Sequence, residues 1–425
     1  MTFETAFNME TSGIKYGVGV TAELGWDMRR LGGTRVMVVT DPRMADSRPV
    51  EVALKALRDM GIDTVMYDRV RVEPTDVSFQ EAIAFASEGG FDGYVAVGGG
   101  SVMDTAKAAD LYASYPADFM TYVNPPIGEG RPVPGRMAPF ICVPTTAGTG
   151  SECSGIAIFD LEEMHAKTGI RQRAIRPDIA VVDPLNTRTM PPMVAACSGL
   201  DVFCHALESL TALPYTRRPA PEDPDHRPAY QGSNPISDIW AARAAQMGST
   251  NLLRVLEEPG NEEAGGQMLL AATFAGIGFA TAGVHLAHAM SYPVSGMVRD
   301  YVADGYPTDH ALVPHGLSVA LGAPAVFRFT GPAAPARHRH AAALIGLDAA
   351  AVPDDEIGDV LADGIVAVIK QAGLPNGLSA VGYGPDDLDD LVAGTLPQKT
   401  VTVLSPRPAS ADDLRHLFEE SLTLW

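Results

Sequence analysis

The chain has 425 residues, with 31 Lys and Arg against 52 Asp and Glu, a formal net charge of −21. That balance argues against a duplex DNA or RNA binder, which needs a basic surface to neutralise phosphates. Apolar residues at 46 % and charged residues at 20 % are globular proportions and exclude a disordered chain. At about 100–200 residues per domain, the length predicts two or three domains, with two favoured.

The first residues, Met1-Thr2-Phe3-Glu4-Thr5, show no basic stretch followed by an apolar one, and no segment approaches 18 uninterrupted apolar residues. Cys142, Cys153, Cys197 and Cys204 have no CxxC spacing. The expectation is a cytoplasmic protein with reduced thiols and no membrane or nucleic-acid partner.

In chain order, short β-branched runs alternate with helix-like segments: Arg35–Thr40, Thr64–Tyr67, Gly93–Val97, Phe140–Val143 and Ile179–Val182. Continuous apolar runs of this kind predict parallel strands buried on both faces. After Asp183-Pro184 the pattern turns to long Ala/Leu-rich stretches, among them Ile236 to Leu256 and Gln267 to Phe279. The fold class expected is therefore α/β: an N-terminal Rossmann-like parallel-sheet domain over 1–185 and an all-helical domain over 186–425. Six prolines between Leu213 and Pro235 interrupt the helical part. They predict a long surface loop, a lid or an oligomer contact.

Three predicted strand ends carry phosphate- or ribose-binding chemistry. The strand ending at Val97 runs into Gly98-Gly99-Gly100-Ser101 and then a helix with Asp104 and Lys107. Glycines let the backbone approach an anion, and the helix start offers free N–H groups. A second strand ends in Pro144-Thr145-Thr146-Ala147-Gly148-Thr149-Gly150-Ser151-Glu152, which brings hydroxyls and flexible amides. Asp41 follows a third, where an acid commonly accepts hydrogen bonds from adenosine ribose and repels a 2′-phosphate. Together they favour NAD. Lys167 is the only cation between Leu161 and Ile170, available to a ligand or to solvent.

The helical part holds metal-type donors. Asp201 and His205 stand at i and i+4, on one face of a helix. His285 and His288 fall in one apolar helical segment, with Tyr292 four residues beyond His288, and His315 precedes another. One carboxylate and three imidazoles suit Fe(II) or Zn(II) with an open position, but the pattern alone does not choose between His285 and His288. His165, His226, His310, His338, His340 and His416 have polar contexts and are read as surface residues.

These motifs, in this order, resemble the iron-containing (group III) alcohol dehydrogenases: Gly98–Ser101 with Asp104 and Lys107, Pro144–Glu152, Gly199-Leu200-Asp201 with His205–Ser209, and Pro314-His315-Gly316. The stretches Val72–Asp76, Arg227–Trp240 and His285–Pro293 are similar to the transhydrogenase branch of that superfamily. The resemblance implies a dehydroquinate synthase-like fold and metal ligation by Asp201, His205, His288 and His315. It implies NAD contacts at Asp41, Gly98, Gly99, Gly100, Ser101, Asp104, Thr145, Thr146, Thr149 and Lys167. Many simple alcohol dehydrogenases carry a histidine where this chain has Tyr292, so Tyr292 or His285 becomes the candidate for catalytic proton handling. The implied activity moves hydride from a hydroxy acid (4-hydroxybutyrate) to an oxo acid (2-oxoglutarate) through bound NAD, with Fe(II) favoured over Zn(II). The alternative is an ordinary NAD-dependent alcohol or 4-hydroxybutyrate dehydrogenase. A homo-oligomer is expected, as is at least one of Arg217, Arg218 and Arg227 facing an anionic substrate.

Overall fold

The computed structural model describes residues 2–164, 166–306 and 310–425, the side chain of Asp225 excepted. His165 lies outside the described residues. Packing divides the chain into Thr11–Met190 and a second unit of Met1–Glu10 with Pro191–Trp425. The division falls just after the sequence boundary at 185, and the first ten residues pack with the helical unit.

The first unit is a six-stranded parallel sheet between helices. Its elements are β1 (Gly13–Tyr16), α1 (Leu24–Leu31), β2 (Arg35–Val39), α2 (Arg48–Asp59), β3 (Asp63–Tyr67), α3 (Asp76–Gly89), β4 (Gly93–Gly98), α4 (Gly100–Ser114) and β5 (Phe140–Pro144). An antiparallel pair follows, β6 (Ile156–Leu161) and β7 (Ala166–Arg171), and then β8 (Ile179–Val182). The strand order is β1-β8-β5-β4-β2-β3.

Alternate residues of each inner strand enter opposite cores, as the two-residue strand period requires. Val36, Val38, Val95, Val97, Ile141 and Val143 pack with Leu24, Met28, Val50 and Leu57 of α1 and α2. Met37, Val39, Tyr94, Ala96, Phe140 and Cys142 pack with Ala82, Ala86, Val102 and Ala106 of α3 and α4. Each fully buried Val or Ile here contributes about 1.5–3 kcal/mol of burial free energy. That double burial makes these strands apolar throughout.

The chain leaves β2 toward β3 on one side and β4 toward β5 on the other, so β2 and β4 flank a topological switch point. Open α/β sheets bind ligands beyond the carboxyl ends of strands at such a point.

The second unit contains α5 (Pro192–Thr211), α6 (Pro235–Glu257), α7 (Glu262–Ala282), α8 (Leu286–Gly296), α9 (His315–Thr330), α10 (Pro335–Leu344), α11 (Ile357–Gln371), α12 (Leu388–Thr395), α13 (Lys399–Thr402) and α14 (Ala411–Ser421). Among its described residues there are isolated bridges but no strand. By length and composition α5 and α7 pass for membrane spans, yet 83 % and 72 % of their apolar windows are buried. They are interior helices.

Two expectations need correction here. The proline-rich stretch is not a free surface loop throughout, since Tyr230, Gln231, Ser233 and Asn234 are buried. It is tied to the chain start by Arg227 Nε on Glu4 Oε2 (2.9 Å) and by the Asn8 N–H donating to Gln231 Oε1 (2.9 Å). His338 is not a surface residue: it is fully buried, with Nε2 2.9 Å from Thr330 Oγ1 and Nδ1 2.9 Å from the Ala334 carbonyl.

Candidate active site

Asp201 and His205 project from one face of α5, His288 from the first turn of α8, and His315 opens α9. One donor atom from each lies within 4.8 Å of the other three. Asp201 Oδ1 is 3.6 Å from His205 Nδ1, 3.6 Å from His288 Nε2 and 3.9 Å from His315 Nε2. Four donors about 2.1 Å from one ion stand about 3.4 Å apart in a tetrahedron. Asp201 Oδ1, His205 Nδ1 and His288 Nε2 are buried and have no hydrogen-bond partner among the described residues. Leaving a polar atom so placed costs about 1–3 kcal/mol; three of them converging on one point fit a bound cation.

The electrostatics agree. Burial alone pushes the Asp201 carboxyl up, but the three imidazoles outweigh it and hold the group below the usual carboxylate range. Burial takes His205 down to about 3, so its ring is neutral and able to ligate. Phe279 of α7 stacks on the His205 ring at 4.1 Å between centroids and 9° between planes, which fixes the ring orientation.

His288, not His285, enters the cluster, and Glu208 explains why. Glu208 is completely buried on α5. Its Oε1 accepts the N–H groups of His285 (3.1 Å) and Ala287 (2.8 Å), which would otherwise be orphaned at the start of α8. Its Oε2 pairs with His288 Nδ1, leaving Nε2 for the cluster. This is the carboxylate–imidazole arrangement that sets the tautomer of a metal-binding histidine. His285 is the N-cap of α8 rather than part of the helix. Its Nε2 lies 2.9 Å from Thr211 Oγ1, and burial pushes its pKa down. Tyr292 is buried one turn beyond His288. Glu208 carries no role in the sequence reading, although its spacing from Asp201 and His205, i+7 and i+3, is the signal that would have found it.

Replacing Glu208 with Gln is expected to weaken metal affinity about 10- to 100-fold with the fold retained. Competitive titration against a chelator, beside thermal unfolding, checks this. An unchanged metal constant would remove Glu208 from the site.

In the sheet unit the three motif-bearing strand ends are neighbours. Val39 of β2 is paired with Ala96 of β4, and Gly98 of β4 with Pro144 of β5. Thr40 Oγ1 donates to the Val97 carbonyl (2.9 Å), and the Thr145 N–H donates to the Gly98 carbonyl (3.0 Å). A Cβ on Gly99 would stand 3.1 Å from Thr146 Oγ1, and one on Gly100 2.7 Å from Thr149 Cγ2. The two loops touch through glycine, and the start of α4 lies at their junction. Asp41 Oδ1 accepts the N–H groups of Arg43 (3.0 Å) and Met44 (3.2 Å).

Asp104, expected among the cofactor contacts, is engaged inside the protein. Its Oδ1 accepts from Ser151 Oγ (2.6 Å) and its Oδ2 from the Ile158 N–H (2.9 Å). Lys107 is fully buried and donates to the carbonyls of Ser151 (2.8 Å) and Ile156 (2.7 Å). This pair pins the end of the Thr145–Ser151 loop to α4. Lys167 is buried against Glu73 and Asp160, not solvated.

Of the insertion arginines, Arg218 donates to the Tyr230 carbonyl, Arg227 pairs with Glu4, and Arg217 is exposed.

A doubly wound sheet with nucleotide-type strand ends, joined in one chain to a helical unit with one carboxylate and three imidazoles, is the architecture of metal-dependent alcohol dehydrogenases. The model of iron-containing alcohol dehydrogenase matches residues 11–184, and that of the Fe-containing alcohol dehydrogenase family, C-terminal, matches residues 229–422. The chain belongs to the iron-containing alcohol dehydrogenase family. It is 52 % identical over 426 residues to mitochondrial hydroxyacid-oxoacid transhydrogenase of Mus musculus, covering 100 % of this chain and 92 % of the relative. The enzyme of that name from Homo sapiens is 52 % identical over 426 residues, covering 100 % and 91 %. Among solved structures, an archaeal halo-thermophilic alcohol dehydrogenase from a Red Sea brine pool superposes with a TM-score of 0.84 at 26 % identity, covering 99 % of this chain and 100 % of that one. The expected cytoplasmic location is overturned by these relatives, both of which are named mitochondrial.

Proposed function

We propose that this enzyme moves hydride from a hydroxy acid to an oxo acid through an NAD that stays bound, with 4-hydroxybutyrate and 2-oxoglutarate as the pair. The observation that carries the reading is the 52 % identity along the whole chain to relatives named hydroxyacid-oxoacid transhydrogenase. The converging orphaned donors support its metal dependence.

Asp201, His205, His288 and His315 hold the metal, with Fe(II) favoured and Zn(II) suited to the same donors. Gly98, Gly99, Gly100 and Ser101 offer the backbone of the α4 start to the pyrophosphate. Thr145, Thr146 and Thr149 line the adjoining loop, and Asp41 accepts ribose hydroxyls. When bound, the metal supplies a Lewis acid for the substrate oxygen and the nicotinamide supplies a hydride acceptor and donor. Glu208 holds His288 in the ligating tautomer, and Phe279 keeps His205 from rotating. Tyr292, on the face of α8 that carries His288, is the better placed of the two candidates for proton handling. His285, closed off against Thr211 and Glu208, orients the start of α8.

Incubation with 4-hydroxybutyrate and excess free NAD⁺, without an oxo acid, tests retention of the cofactor. The expected NADH yield is at most about one equivalent per enzyme. Sustained NADH production would move the chain to the ordinary dehydrogenases.

A further inference from the structure

Glu73 is the one non-glycine residue with positive φ among the described residues, at 53°. Glutamate gains nothing locally from a left-handed backbone, and a residue before proline, as Glu73 is before Pro74, is normally extended. Such a conformation persists only where the surroundings impose it, and it clusters at functional sites. The two residues that follow are firmly held. The Pro74 carbonyl accepts the Asp160 N–H at 2.8 Å, and Thr75 caps α3 in a capping box with Ser78.

The strained turn connects two groups of the cofactor cradle. The Glu73 N–H donates to Ser101 Oγ at 3.2 Å, in the first turn of α4. A hydroxyl that accepts this bond keeps its own proton for an outside acceptor, such as a phosphate oxygen at the helix start. The Glu73 carboxylate reaches the Lys167 ammonium at 2.7 Å, and Asp160 Oδ1 stands 3.0 Å from it. Lys167 is 1 % exposed and the Glu73 side chain 19 %, so a partly exposed carboxylate fixes a buried ammonium. Glu73 is thus bonded through its backbone to Ser101 Oγ and through its side chain to Lys167.

We propose that Glu73 is a positioning residue of the dinucleotide cradle, its left-handed turn aligning the Ser101 hydroxyl and the Lys167 ammonium for the bound cofactor. The inference rests on the NAD reading above and deepens it. The conformation is kept for cofactor hold rather than for fold stability, and the two roles predict opposite results for one substitution. Glycine at 73 relieves the strain and keeps the backbone N–H, but removes the carboxylate.

The test is NADH binding followed by fluorescence, with thermal unfolding, on the wild-type chain, Glu73→Gly and Glu73→Gln. The expected result for Glu73→Gly is an unfolding temperature equal to or above wild type with an NADH Kd weakened by about tenfold or more. Glu73→Gln, which keeps reach and a hydrogen-bond acceptor, is expected to recover part of that loss. A Glu73→Gly protein that is less stable yet binds NADH with the wild-type Kd would overturn the inference and leave the cofactor reading standing. A wild-type protein that binds no NADH would overturn both.

Discussion

His288→Ala is expected to lose its metal and to lower turnover by at least about 10³-fold. A Lewis acid contributes several kcal/mol of charge stabilisation in the transition state, and about 4 kcal/mol corresponds to three decades of rate. Of the four cluster donors, His288 is the one whose loss is expected to do most damage, because it is engaged at both ends. Its Nε2 is one of the orphaned donors, and its Nδ1 satisfies a fully buried carboxylate on Glu208. Removing the ring takes the partner from Glu208 Oε2, while Oε1 keeps the N–H groups of His285 and Ala287, at a cost of about 1–3 kcal/mol of stability. Metal content by elemental analysis, turnover and unfolding are to be measured together. Full metal occupancy and full turnover in the variant would remove His288 from the site.

Gly316→Ala is expected to be as damaging without touching a ligand. A Cβ at residue 316 would stand 2.1 Å from the Cys197 carbonyl oxygen and 2.9 Å from Asp201 Cβ. Both belong to α5, so neither can rotate away. α9 would have to retreat, taking His315 from a cluster whose bond lengths tolerate only about 0.2 Å. Overpacking of this kind costs about 1–3 kcal/mol. The sign is diagnostic, since an exposed helical Gly→Ala change ordinarily stabilises by about 1 kcal/mol. Gly322 on the same helix is the control: a Cβ there meets nothing nearer than Met290 Cε at 3.7 Å. Gly322→Ala should leave stability and metal binding unchanged or improved, and equal effects from the two variants would contradict the close approach of α9 to α5.

The strands that were legible in the sequence are those buried on both faces. β4 and β5 are closed at every residue and therefore read as unbroken apolar runs. β1, Gly13–Tyr16, escaped because it is an exposed edge strand, and an edge needs no apolar run. β7 escaped because Lys167 and Arg171 break its pattern, although Lys167 is buried and paired. Asp201 and His205 were legible through helical spacing. The choice of His288 over His285 was not, since it depends on where α8 begins, and Glu208 sets that from a helix about 80 residues earlier. His338 was misread for a related reason. Its neighbours Arg337, Arg339 and His340 are polar or charged, but of these four the helix turns only residue 338 fully into the core. Location lay outside what composition can show, and the relatives named mitochondrial overturn the cytoplasmic expectation.

The central claim is that hydride passes between two acids without leaving the protein. Purified enzyme, loaded with metal and carrying its own NAD, is to be given 4-hydroxybutyrate and 2-oxoglutarate with no nucleotide added, and both products followed by mass. The account predicts succinic semialdehyde and 2-hydroxyglutarate in equal amounts over many turnovers. Formation that stops after one equivalent, or that requires free NAD⁺ in proportion to product, would contradict it.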